Sequence, residues 1–258
     1  MKLLINHQTF YCYEQAVKNS MQYIRLLPQN LSRQKVLHWG ISVPGEKLQQ
    51  LDGFGNLWLT SSQRFSYQKL MIMAQGMVEL DEHAAYTVDN RIHPEIYLQA
   101  TKASLCSPEM MQFAHMYADR HFEHLMDLAQ AVLEHIPYHA GHTHVETTAA
   151  EAFEQRKGVC QDHAQVFVAL ARYLGFPARY VSGYLYVEAG NHLASHAWAE
   201  VYHEEKWHCF DVSNQLFSPN VHVQLAVGRD YADVAPIRGI RQQGEGETMT
   251  TIVQVLAC

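Results

Sequence analysis

The stretch from Gly158 to Tyr180 constrains the fold more tightly than any other part of this chain. Val166, Leu170, Tyr173 and Leu174 recur at helical spacing, and Gly175 and Pro177 stop the pattern, so the spacing predicts a buried helix with Cys160 in its first turn. There the unpaired N–H groups and the positive end of the helix dipole favour a thiolate over a thiol. Cys160 is therefore the candidate nucleophile. Gln161 and Asp162 are placed to cap the helix or hold nearby backbone, and the dipole alone explains an acid at Asp162.

On either side of this helix the pattern changes. β-formers cluster over 3–11, 35–43, 56–60 and 70–78, divided by Pro28-Gln29-Asn30, Pro44-Gly45 and Asp52-Gly53-Phe54-Gly55-Asn56. These runs predict an N-terminal antiparallel β domain over 1–90, with the Asp-Gly and Gly-Asn steps marking a hairpin turn. Polar residues over 80–96, broken by His93-Pro94, read as the linker. Ser107-Pro108-Glu109 then supplies an N-cap serine, a first-turn proline and an acid, and Met110, Phe113, Ala114 and Tyr117 follow at helical spacing. Leu125, Leu128, Ala129, Val132 and Ile136 predict a second helix, and Thr148-Ala149-Ala150-Glu151 a capping box opening a short third one. Runs over 178–187, 195–203, 206–212 and 249–256 predict strands, so 91–258 reads as α+β with an antiparallel sheet. Gly244-Glu245-Gly246-Glu247 reads as a surface turn, having neither the spacing nor the lysine of a phosphate loop.

Composition narrows the function classes. A net charge of −7 with scattered Lys and Arg argues against a nucleic-acid or anionic-membrane surface. The apolar start Met1 to Ile5 ends at Asn6, and no later run is long enough to span a bilayer, so a cytoplasmic protein is expected. Cys12, Cys106, Cys160, Cys209 and Cys258 form an odd, irregular set without a CxxC pair, unlike a disulfide framework or zinc ribbon. Only Cys160 has a setting that suggests reactivity.

A thiolate nucleophile needs an imidazole partner, and that imidazole needs a third group to fix its tautomer. His196 opens one predicted strand and Asp211 ends the next. If the two pair as a hairpin through His203-Glu204-Glu205-Lys206, His196 and Asp211 share one end of the sheet, as a triad requires. His163, three residues after Cys160, would face away from the sulfur in a regular helix, though it lies close enough to tune it. Trp198 and Trp207 are expected to pack the sheet, with an aromatic wall beside the thiol as the alternative for Trp198. Arg229-Asp230-Tyr231 and Arg238 read as a structural Arg–Asp bridge, or as a site for a substrate carboxylate. A zinc site from Cys160 and His163 with His192, His196, His203 or His208 fits no finger or HExxH spacing, and the chain has no EF-hand loop. No metal and no cofactor are expected.

Gly158-Val159-Cys160-Gln161-Asp162-His163-Ala164, the run from Pro177 to Leu185, the run from Ala194 to Val201 and the run from His222 to Gly239 together resemble the bacterial transglutaminase-like cysteine peptidase family. Leu26-Leu27-Pro28, Gln34 and Asp52-Gly53-Phe54-Gly55-Asn56 resemble the β domain that precedes its catalytic domain. The resemblance implies a papain-like, transglutaminase-like core over 91–258, with Cys160 as nucleophile, His196 as base and Asp211 as orienting acid. Where that family commonly reads Asp-Pro-Thr-Asn, this chain has Asp211-Val212-Ser213-Asn214, which keeps the Asp and the Asn. Tyr138, in the family-like Tyr138-His139-Ala140-Gly141-His142-Thr143, is the expected side-chain oxyanion donor, beside the Cys160 N–H. The expected activity is hydrolysis of a peptide or protein amide through a thioester. Transglutamination uses the same residues with an amine in place of water, and a peptide-binding module with an inactive triad is the reading from another class.

Overall fold

A computed structural model describes residues 1–81, 92–117, 121–188 and 195–258. It is an α+β protein in which two antiparallel sheets meet face to face. The expected linker and the cut at 90/91 fall largely on residues outside those described.

The first sheet is organised by β1 (Lys2–Ile24), which is much longer than its β-former run because its backbone finds partners along its whole length. One edge pairs with β5 (Tyr67–Leu80) and then with β4 (Leu57–Gln63). β2 (Gln34–Ser42) adds to β5 and β3 (Glu46–Leu51) adds to β4. The turn through Asp52 and Asn56 is the hairpin its sequence announces. β3 is exposed at every residue and is not rich in β-formers, so only pairing makes it a strand.

The C-terminal strands depart from the sequence reading. The predicted strand at 249–256 lies within β11 (Glu247–Ala257), which pairs with β1 in the first sheet and not with the second sheet. Its alternate residues Val253 and Val255 are buried with Leu3 and Ile5 of β1. β10 (Ile237–Gln243) pairs along the same edge of β1, so the first sheet draws on both ends of the chain and is not confined to residues 1–90. Gly244-Glu245-Gly246 is a break between β10 and β11 that runs on along β1, held by the Glu14 N–H on the carbonyls of Glu245 and Gly246. Gly244 has φ +85, and a Cβ there would meet Val17 Cγ2 at 2.4 Å, so the break requires glycine.

In the second half α1 (Pro108–His115), α2 (His124–His135) and α3 (Ala149–Gln155) pack on α4 (Cys160–Tyr173), and α4 lies on a sheet ordered β8 (Lys206–Phe210), β7 (His196–His203), β6 (Ala178–Leu185), β9 (His222–Gly228). Ser107 and Thr148 cap α1 and α3 as their sequences predict. β6 is buried at every residue, with α4 on one face and the first sheet on the other. β7 and β8 form the expected hairpin, turning through Glu204 (φ 47) and Glu205 (φ 60). The free edge of β6 is taken by β9, a strand the sequence reading lacks, and that leaves 249–256 available to β1. Tyr173 sits at the rim, 38 % exposed, whereas Val166, Leu170 and Leu174 are buried.

Polar clamps fix the two halves together. Gln34 gives Nε2–H to the Gln224 carbonyl (3.0 Å) and takes the Gln224 N–H on Oε1 (2.8 Å). Asn56 holds the Val227 carbonyl and N–H in the same way, at 2.8 Å each. Each side chain thus imitates a strand neighbour for β9, and His7 Nδ1 reaches the Tyr184 hydroxyl at 2.9 Å. Among the described residues, no helix is long and apolar enough to cross a membrane.

Candidate active site

Cys160 is the first residue of α4, and what precedes it is built for a tight helix start. The Asp162 side chain folds back to accept the Val159 N–H (2.7 Å) and the Thr143 hydroxyl (2.7 Å), closing a cap over the first turn. Gly158 makes room for it, since a Cβ there would lie 2.7 Å from Asp162 Cβ and 2.8 Å from Oδ2. Asp162 is therefore a buried cap, more than an acid answering the helix dipole. As the first helical residue, Cys160 has an N–H that the helix itself does not use.

His196 begins β7, and Asp211 follows β8, so the hairpin brings them together. His196 Nε2–H donates to Asp211 Oδ2 at 2.8 Å, with Asn214 Nδ2 3.4 Å from the same nitrogen, and Cys160 is a further hydrogen-bonding partner of the ring. Burial acts to lower the His196 pKa, but the Asp211 hydrogen bond and the Cys160 sulfur outweigh it, and the value is pushed up to about 10. The imidazolium is thus the favoured form at neutral pH. Asp211 is fully buried, which opposes ionisation, yet hydrogen bonds from His196 and His222 hold its carboxyl well below the usual carboxylate range.

Asp211 collects more donors than a triad needs. Asn214 gives its amide to Oδ1 (3.1 Å) and Oδ2 (2.9 Å), and its backbone N–H also reaches Oδ1 (3.3 Å). His222 Nε2–H donates to Oδ2 at 3.0 Å. Sequence reasoning assigned no role to His222, because β9 brings it to Asp211 by pairing with β6 and nothing local to the residue announces that.

The remaining candidates fall on different sides of the site. Cys160, Gln161, Tyr138, Tyr180, His196 and Asn214 line one cleft. Tyr138 stands at its mouth, 56 % exposed, and Gln161 gives Nε2–H to the His144 carbonyl at 3.2 Å. His163 does not reach the cleft: its ring nitrogens bind Ser213 Oγ (2.8 Å) and the Ile136 carbonyl (2.7 Å), tying α4 to two loops, and burial lowers its pKa. Trp198 is not a wall beside the thiol. It shares a strand face with His196, so it stacks behind the triad, with its ring 6.1 Å from His196 and 4.8 Å from His222. Arg229 bridges to Asp233 at 3.0 Å and not to Asp230, which instead caps α5 (Tyr231–Val234).

Of the histidines weighed as zinc ligands, His196 alone among the described residues meets Cys160. His203 and His208 pack on Phe122, and His163 is committed as above; His192 lies outside the described residues. His196, Asp211 and His222 do converge, with ligand atoms within 4.8 Å of one another. Both imidazoles already aim an N–H at the same carboxylate oxygen, at 2.8 and 3.0 Å, so hydrogen bonding accounts for the cluster without an ion.

Comparison with known proteins covers both halves. A model of the transglutaminase-like superfamily matches residues 112–212, and one of the bacterial transglutaminase-like N-terminal region matches residues 3–79. An uncharacterized protein of Mycobacterium leprae is 27 % identical over 98 % of this chain and 97 % of its own length. One of Mycobacterium tuberculosis is 29 % identical over 92 % of this chain and 86 % of its own. A crystal structure from Cytophaga hutchinsonii, described as a candidate cysteine protease, superposes with a TM-score of 0.81 at 20 % identity, covering 99 % of this chain and 90 % of that one.

Proposed function

This chain belongs to the transglutaminase-like superfamily, and from that premise we propose that it is a thiol-dependent amide hydrolase acting on peptides or proteins through Cys160, His196 and Asp211. The observation that carries the reading is His196, bonded on one side to Cys160 and on the other to a buried carboxylate, with its pKa pushed up to about 10. The description of the Cytophaga protein points the same way.

The chemistry follows from the pair. The Cys160 thiolate adds to the amide carbonyl carbon, and the oxyanion forms where the unused Cys160 N–H points, with the Tyr138 hydroxyl as the side-chain donor. As the C–N bond breaks, His196 gives its proton to the leaving amine, and a thioester and a neutral imidazole remain. Water, losing a proton to His196, then adds to the thioester, releasing a carboxylic acid and restoring Cys160. Asp211 holds the ring throughout and keeps its proton-poor state, because donors occupy both of its oxygens.

The test is iodoacetamide labelling of the native protein across acidic to alkaline pH, followed by turnover of peptide amides. Cys160 should label faster than the other cysteines at neutral pH, His196→Ala should abolish that, and Cys160→Ala should abolish turnover while leaving the fold intact. Labelling of Cys160 no faster than the other cysteines would overturn the reading in favour of a binding module. Incorporation of an added amine in preference to water would make the protein a transglutaminase.

A further inference from the structure

Two histidines bind one oxygen of Asp211, yet their second nitrogens have opposite surroundings. His196 meets Cys160 on its other side. His222 Nδ1 is buried and has no hydrogen-bond partner among the described residues. We infer that His222 is a positioning residue of the triad: fixed as the neutral Nε2–H tautomer, it donates to the Asp211 oxygen that also takes His196, and so confines the triad's positive charge to His196 beside Cys160. This rests on the reading of Cys160 as the nucleophile.

The tautomer follows from the carboxylate. An ionised Asp211 can only accept, so the nitrogen 3.0 Å from Oδ2 must carry the hydrogen, and a neutral ring then leaves Nδ1 bare. Charging the ring would add an N–H at Nδ1, a buried atom with no acceptor among the described residues, against the penalty for a buried unpaired donor. Of the titratable groups around His222, Asp211 and Glu200 favour charge and His196 opposes it, while Arg33, Arg179 and Asp81 line the same cavity. Trp198 packs on the ring at 4.8 Å and offers no acceptor. Protonating His196, in contrast, is favoured at both ring nitrogens. The asymmetry at the second nitrogens decides which histidine holds the proton.

The role differs from packing because it needs a neutral donor at one point and not a ring. Glutamine places an amide N–H close to where histidine places Nε2–H, whereas leucine fills space and donates nothing. Long-range ¹H–¹⁵N NMR of the unsubstituted protein should give His222 one protonated and one bare nitrogen, unchanged from about pH 5 to about pH 9, while His196 keeps both nitrogens protonated at neutral pH. His222→Leu should slow iodoacetamide labelling of Cys160 near neutral pH by about ten-fold, the scale of one hydrogen bond to a charged group, and His222→Gln should restore most of it. A His222 ring that titrates near its ordinary value, or that is doubly protonated at neutral pH, overturns the inference. So does a His222→Leu protein that labels like the parent, or a His222→Gln protein that labels no better than His222→Leu. If His222→Leu does not fold, the NMR of the unsubstituted protein still decides. An unreactive Cys160 beside a His222 with the stated tautomer would instead sink the nucleophile reading alone.

Discussion

At the scale of residues, Asp211 governs the site because its charge is unscreened by solvent and its partners are all donors. Asp211→Asn keeps the shape but removes the charge that helps hold His196 protonated. The His196 pKa should therefore fall from about 10 toward its ordinary 6.5, which NMR titration of the ring would read directly. Turnover should fall by roughly 10² to 10⁴, the span general acid–base catalysis supplies, without vanishing. The carboxyl also links stability to acid. Its pKa is depressed in the folded state, so its contribution is fully present above the unfolded value of about 3.9 and is lost as pH falls through the folded value. Urea unfolding of the parent and of Asp211→Asn should differ most between about pH 5 and about pH 6, with the gap narrowing as pH falls below about 4 and, through His196, as pH rises from about 6.5 toward about 10. Cys160, His196, Asp211 and Asn214 were legible as residues because each lies in a local pattern of helix start, strand start or strand end. The cap at Asp162 was legible too, but not its bond to the Thr143 hydroxyl, and His222 was not legible at all, since these contacts exist only once separate segments meet.

At the scale of elements, the geometry of Cys160 is set by how α4 begins. Gly158→Ala would drive a methyl group into the Asp162 cap, so loss of that cap should cost about 1 kcal/mol in urea unfolding and slow Cys160 labelling as the first turn loosens. Equal labelling in parent and variant would show that the cap does not hold the nucleophile. The β7–β8 hairpin offers a contrasting case, where sequence and conformation disagree. Glu204 and Glu205 both adopt positive φ, which glycine and asparagine tolerate better, so Glu205→Gly should stabilise the protein by about 0.5–1 kcal/mol without altering Cys160 reactivity. Helices and the hairpin could be predicted because caps, periodicity and turn position are local. β3 and β9 could not. β3 is exposed and not rich in β-formers, and β9 is a strand because the edge of β6 is open beside it.

At the scale of the molecule, the first sheet is not an independent N-terminal unit. β1 needs β10 and β11 on one edge, and Gln34 and Asn56 spend their amides on β9. A fragment of residues 1–90 should accordingly show no cooperative urea transition, and adding the segment 237–257 alone should not rescue it fully, because the clamps on Gln224 and Val227 would still be missing. A cooperative transition in that fragment would show that residues 1–90 fold without β9, β10 and β11. The sequence carries the composition of each sheet but not the long-range pairing that assigns residues 237–257 to the first.

The pairing of Leu3 with Ala257 also sets a clock. At ribosomal speeds the strand that covers this edge of β1 emerges on the order of ten to fifty seconds after β1 itself. Throughout that interval a nascent chain holds a long β edge with half of its hydrogen bonds unmade, which is the template that aggregation uses. Slow codons ahead of residue 237 would lengthen the exposure, and a holdase that recognises extended apolar strands would have its natural window there.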